Sequence, residues 1–111
     1  PLEVSKNKLL VEEYGAEDRF VITSGNGNYS IELEYACYYD YRNMVDIHDR
    51  PDYIQHAGEE YFEYRIYENK VIFRSLAPQK VTAHARYSLV DGRGETVIFY
   101  VNSEVMLGGL L

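Results

Sequence analysis

The segment Tyr29-Ser30-Ile31-Glu32-Leu33-Glu34-Tyr35-Ala36-Cys37 alternates without a break. Tyr29, Ile31, Leu33, Tyr35 and Cys37 fall on one side of an extended chain, and Ser30, Glu32, Glu34 and Ala36 on the other. A period of two marks a strand with one face on a core and the other in water. Wound as a helix, the same residues would scatter the glutamates around the cylinder. The segment reads as a strand whose Cys37 points inward beside Leu33 and Tyr35.

Similar segments flank it. Upstream, residues 9–11 and 19–23 are short apolar runs separated by Gly15-Ala16-Glu17-Asp18. Ser24-Gly25-Asn26-Gly27-Asn28 then closes the second run with residues that accept a positive φ at little steric cost. Downstream, residues 61–67 and 71–74 flank Glu68-Asn69-Lys70 and read as a hairpin. Val81, Ala83, Ala85, Tyr87 and Leu89 alternate against Thr82, His84, Arg86 and Ser88. The turn Asp91-Gly92-Arg93-Gly94 leads into a last strand over 96–101. Residues 40–60 break the pattern and read as a long acidic loop with room for a short strand or helical turn. Short β segments rich in Tyr, Val, Ile, Phe and Thr, with turns between them, predict an Ig-like β-sandwich of about seven antiparallel strands. A small open barrel or a lipocalin-like half barrel is the alternative.

The chain has 111 residues, 46% apolar and 26% charged, which suits one packed domain. Its core is expected over residues 5–103, with an apolar, glycine-broken tail over 104–111 that suits a loose end or an inter-chain contact. The formal net charge is −7, with no local cluster of Lys or Arg to offset it. Nucleic acid and anionic membrane surfaces are therefore unfavourable partners. No apolar run is long enough to cross a bilayer, so this segment makes no direct membrane insertion. The chain starts at Pro1 without Met, as expected of a trimmed or mature form of a longer precursor. Cys37 is the sole cysteine in the sequence, which excludes an intramolecular disulfide and a multi-thiolate zinc site.

Two stretches carry a family resemblance. Phe20-Val21-Ile22-Thr23-Ser24-Gly25-Asn26-Gly27-Asn28-Tyr29-Ser30-Ile31 resembles a segment of the Ig-like (BIG-like) domains of Bacteroidetes exported lipoproteins, where an apolar strand enters a Gly-Asn-Gly turn. Asn69-Lys70-Val71-Ile72-Phe73, and residues 81–101 with their Asp91-Gly92-Arg93-Gly94 turn, resemble the short hairpin and closing hairpin of the same domains. The resemblance covers roughly residues 5–103 with a gap, because residues 38–60 are longer, more acidic and more aromatic than the connection usual there. It implies a cell-envelope or extracellular location, lipid-anchored in the full-length precursor. It also implies adhesion, spacing or binding to protein or glycan at the cell surface, with no catalytic residues.

The residues point the same way on catalysis. A Cys–His nucleophile needs a thiol partly exposed beside an imidazole, whereas periodicity turns Cys37 inward and His84 outward. No Gly-x-Ser-x-Gly elbow is present. The chain is read as non-enzymatic, with no cofactor. Binding chemistry concentrates in the central excursion. Tyr38, Tyr39, Tyr41 and Tyr53 border it and are candidate ligand-stacking rings; Tyr61 and Tyr67 extend the set, sharing a strand face with Glu63 and Arg65. Asp46, His48, Asp49, Asp52 and His56, with Glu59 and Glu60, are the residue types that hold Ca²⁺ or Zn²⁺. Their spacing matches neither an EF-hand loop nor a His-x-x-x-His helix, and the plainer reading is a solvated acidic loop. Edge strands offer a homo-dimer, through either the final strand or residues 9–11.

Overall fold

Nine strands follow one another in the computed structural model, which describes residues 1–40, 45–46, 61–78 and 81–103. They are β1 (Glu3–Val4), β2 (Lys8–Leu10), β3 (Glu17–Ser24), β4 (Ser30–Asp40), β5 (Val45–Asp46), β6 (Phe62–Tyr67), β7 (Lys70–Ser75), β8 (Val81–Val90) and β9 (Thr96–Asn102). Every element in that order is a strand. The fold is all-β. One sheet has the order β1-β3-β7-β6 and the other β2-β9-β8-β4-β5.

The strand count differs from the expected seven because β1 and β5 have two residues each, too few for any periodicity. The pairing differs too. All ladders are antiparallel except β2 with β9, which runs parallel as Lys8↔Tyr100, Leu9↔Val101 and Leu10↔Asn102. The chain pairs with β3 through β1, then crosses within a few residues to the other sheet. There Tyr100 N–H donates to Asn7 O and Val11 N–H to Asn102 O, both at 2.8 Å. The final strand is therefore an interior strand, with β2 on one side and β8 on the other. The free edges among the described residues are β1, β6, β2 and β5.

One core serves both sheets. Phe20 and Phe73 come from the four-stranded sheet, Tyr87 and Phe99 from the five-stranded one, and all are buried in a single cluster. Phe20 meets Phe99 edge-on with centroids 4.9 Å apart, Phe73 meets Tyr87 at 4.9 Å, and Tyr87 stacks on Phe99 at 5.5 Å. Each such ring contributes about 1.5–3 kcal/mol by leaving water, before packing geometry is counted. The alternation read in residues 81–89 holds: Val81, Ala83, Ala85, Tyr87 and Leu89 are all buried.

The alternation of β4 does not hold along its length. Leu33 pairs with Tyr87, but Tyr35 pairs with Arg86, so Glu34 is an extra residue in the ladder. Such a bulge reverses the facing of everything after it. Ile31 and Leu33 pack on the core, as does Ala36, which was expected outside. Tyr35 and Cys37 turn to the outer face, opposite Arg86 and His84. Glu34 is held there by the Ser88 hydroxyl, which donates to its carboxylate at 2.9 Å.

The two glycine turns lock together at one end of the sheets. Asn28 and Gly27 have φ of 50° and 72°, and Gly92 N–H donates to Gly27 O at 2.7 Å. The Asp91 carboxylate accepts from the N–H groups of Asn26, Arg93 and Glu95. Desolvation pushes the Asp91 carboxyl upward, but those amides and the nearby Arg93 charge outweigh it and leave the pKa below its ordinary value. Asp18 ties β3 to the β2 segment in the same manner, accepting from Leu10 N–H and from Lys6 Nζ. Its pKa is also lowered: desolvation raises it, and the Leu10, Lys6 and Arg19 hydrogen bonds prevail.

Candidate functional site

The predicted binding residues divide sharply. Tyr41, His48, Asp49, Asp52, Tyr53, His56, Glu59 and Glu60 lie outside the described residues. Tyr38 and Tyr39 stand on β4, and Asp46 on β5. The ladder between those strands sets Tyr39 opposite Asp46, so one candidate tyrosine and one candidate metal ligand share a register position. Among the described residues no group of three His, Cys, Asp or Glu side chains is arranged to hold a metal ion.

The remaining tyrosines do not form one patch. Tyr61 packs against the core, while Tyr67 is 60% exposed on the β6 edge strand. Tyr14 lies beneath the Arg74 guanidinium, 5.8 Å from its ring centroid, between β2 and β3. Tyr100 belongs to the opposite sheet.

The bulge at Glu34 instead assembles a different surface, the outer face of β2-β9-β8-β4. Directly paired residues lie on the same face of a sheet, their Cβ atoms about 5 Å apart. One row across the strands is Lys8, Tyr100, Arg86 and Tyr35; the next is Leu10, Asn102, His84 and Cys37. Ile98 lies one step along β9 from Tyr100 on the same face, opposite Ser88. Leu10, Ile98 and Tyr100 are each close to 40% exposed, and Lys8 and Arg86 are exposed beside them. Lys8 and Arg86 flank Tyr100 in its row, while Glu32 and Glu34 stand beyond Ser88 in the row of Ile98.

Sequence reasoning missed this surface, although a signal for it existed. Residues 96–101 are Thr-Val-Ile-Phe-Tyr-Val, apolar on both faces of the strand, unlike β4 with its glutamate face. A strand apolar on both sides has more surface to cover than one core provides.

Cys37 and His84 are direct partners in the β4–β8 ladder, on the face away from the core. This corrects the expected separation of the two. The thiol is nonetheless only 1% exposed, so it lacks the access to solvent and substrate that a nucleophile needs. A polar cleft of about 160 Å³ lies between the two glycine turns, lined by Ser24, Asn26, Asp91, Arg93 and Glu95 among others. Several of its polar groups are engaged within the chain: Ser24 Oγ donates to Pro1 O at 2.6 Å, and Glu95 accepts from Leu2 N–H at 3.1 Å.

No family model, no curated protein and no solved structure matches this chain.

Proposed function

We propose that this chain is a non-enzymatic Ig-like interaction module that binds a protein partner through the outer face of the five-stranded sheet. Two features support the Ig-like reading. The orders β1-β3-β7-β6 and β9-β8-β4-β5 correspond to A-B-E-D and G-F-C-C′ of Ig sandwiches, with β2 as an added strand beside the last. Two separate ladders around one shared core also suit a sandwich better than a barrel, which needs a closed ladder. A place in the cell envelope, as part of an exported and lipid-anchored bacterial protein, rests on the resemblance to BIG-like lipoprotein domains alone.

The observation that carries the binding reading is the cluster of Leu10, Ile98 and Tyr100 in water beside Arg86 and Lys8. Exposed apolar side chains that gather on one face mark interaction sites, and Tyr and Arg are the residues that anchor protein interfaces. Two of the three exposed apolar residues are aliphatic. That favours a polypeptide over a glycan, because sugars stack on aromatic rings and gain little from Leu or Ile. Tyr39 and Asp46, opposed at the β5 end of this sheet, support a second reading in which the 40–60 segment binds a glycan or a metal.

Photo-crosslinking in the native cell separates these readings. A photoreactive residue at position 98 should give discrete protein adducts, and one at Thr23, exposed on the other sheet, should not. Equal labelling from both positions, or none from position 98, would refute the proposed face. Calorimetry with Ca²⁺ and Zn²⁺ tests the second reading, which an absence of heat in both titrations removes.

A further inference from the structure

Among the described residues β6 is a long edge with no strand paired on its outer side. The other outermost strands described, β1, β2 and β5, have two or three residues, while β6 has six; β5 covers only Tyr39 and Asp40 of β4, but the bulge at Glu34 interrupts the rest of that edge. No proline, lysine or bulge interrupts residues 62–67, and the two charges the strand carries, Glu63 and Arg65, are of opposite sign. Glu63 and Arg65 have side chains 52% and 57% exposed. Tyr64 faces the core side and stacks on Phe73 at 5.4 Å, yet remains 48% exposed.

The backbone phase of the edge follows from the hairpin. Leu76 N–H donates to Tyr61 O at 2.8 Å, so Tyr61 bonds toward β7. Antiparallel ladders alternate, and Glu63, Arg65 and Tyr67 therefore bond to β7 as well. The N–H and C=O groups of Phe62, Tyr64 and Ile66 are left pointing outward.

We propose that β6 pairs antiparallel with β6 of a second copy, about a two-fold axis at Tyr64, to make one continuous eight-stranded sheet. Three requirements select this register. Backbone pairing must join Phe62, Tyr64 and Ile66 to one another, and centring on Tyr64 is the arrangement that gives all three a partner: Tyr64 with Tyr64, and Phe62 with Ile66, in both directions. The side chains of the intervening positions must agree, and the same register sets Glu63 opposite Arg65 of the other copy, twice. A shift by one pairing unit either way sets Glu63 against Glu63 or Arg65 against Arg65. Finally, the two half-exposed Tyr64 rings meet across the axis on the core side. The strand is self-complementary in backbone, charge and shape, as an isologous contact demands. This contact lies on the sheet opposite the proposed binding face and does not depend on it.

A single pair of edge strands is a small interface, below about 1,200 Å² and hence weak. Sedimentation velocity at low salt, from roughly 10 μM to 1 mM, should show a monomer–dimer equilibrium. Glu63→Arg and Arg65→Glu should each weaken it by at least about tenfold, since each sets two like-charged pairs across the axis. The double variant E63R/R65E restores opposite charges and should return the dissociation constant to near the starting value. Circular dichroism checks that each variant is folded; the substitutions break surface ion pairs with Glu17 and Arg74, which contribute little to stability. In the unsubstituted chain, amide exchange at Phe62, Tyr64 and Ile66 should slow as concentration rises. A chain that stays monomeric at the highest concentration overturns the proposal. So does an association that the single substitutions leave unchanged, or one the double variant fails to restore.

Discussion

Phe99→Ala tests whether the two sheets are held by one core. Phe99 is fully buried on β9, and it touches Phe20 and Phe73 of the opposite sheet at 4.9 and 5.6 Å, and Tyr87 of its own sheet. Truncating a buried Phe removes its transfer free energy and leaves a cavity, together about 3–5 kcal/mol. With three aromatic partners and no exposed edge, Phe99 belongs in the upper half of that range, at about 4 kcal/mol. A domain of this size is stable by only about 5–15 kcal/mol, so the loss is roughly a quarter to four-fifths of the total. The assay is equilibrium urea unfolding followed by far-ultraviolet circular dichroism and tyrosine fluorescence, as the chain has twelve Tyr and no Trp. With a slope of about 2 kcal/mol per molar urea, the midpoint should fall by roughly 2 M. Tyr100→Ala, on the exposed side of the same strand, should cost less than about 1 kcal/mol. A double-mutant cycle with Phe20→Leu and Phe99→Leu should give a coupling of about 0.5–1.5 kcal/mol across the sheets. A cost for Phe99→Ala no larger than for Tyr100→Ala would refute a shared core.

The Asp91 clamp gives a pH dependence. Its folded pKa is lowered, so the unfolded chain takes up the proton first. The stabilisation is present above the unfolded value, near 4, and fades as pH falls through the folded one. Asp91→Asn should flatten the acid limb of the stability–pH curve below about pH 4, leaving the slope due to Asp18; an unchanged limb would contradict the clamp. The Cys37 thiol, buried on the outer face, should react with a disulfide reagent in native buffer only as fast as the protein opens, and at once in denaturant. Full labelling within seconds of mixing under native conditions would show the thiol to be accessible.

Much of the strand pattern was legible in the residues because periodicity and turn chemistry are local. The run Val81, Ala83, Ala85, Tyr87 and Leu89 announces its buried face without help from any neighbour, and Gly25 to Asn28 and Asp91 to Gly94 announce their turns. The candidate site was less legible. The tyrosines and acidic residues of the 40–60 segment stand out by composition, but composition says nothing of what they stand beside; of that set, the ladder places Tyr39 and Asp46 opposite each other.

The sequence alone determined that this is a β protein, where its longer strands run and where they turn, because each of those properties belongs to a few consecutive residues. The tertiary structure alone decided the facing of β4 and the identity of the edges. A bulge is a mismatch between two strands: nothing within Tyr29-Ser30-Ile31-Glu32-Leu33-Glu34-Tyr35-Ala36-Cys37 tells that Glu34 is skipped in the register with β8. Past that residue the partner strand reverses inside and outside, carrying Ala36 into the core and Cys37 to His84. Likewise β9 looks like a terminal edge until β2 returns to lie parallel against it. Which strand remains open depends on pairings between residues far apart in the chain. By that route β6 becomes, among the described residues, a long edge without a bulge.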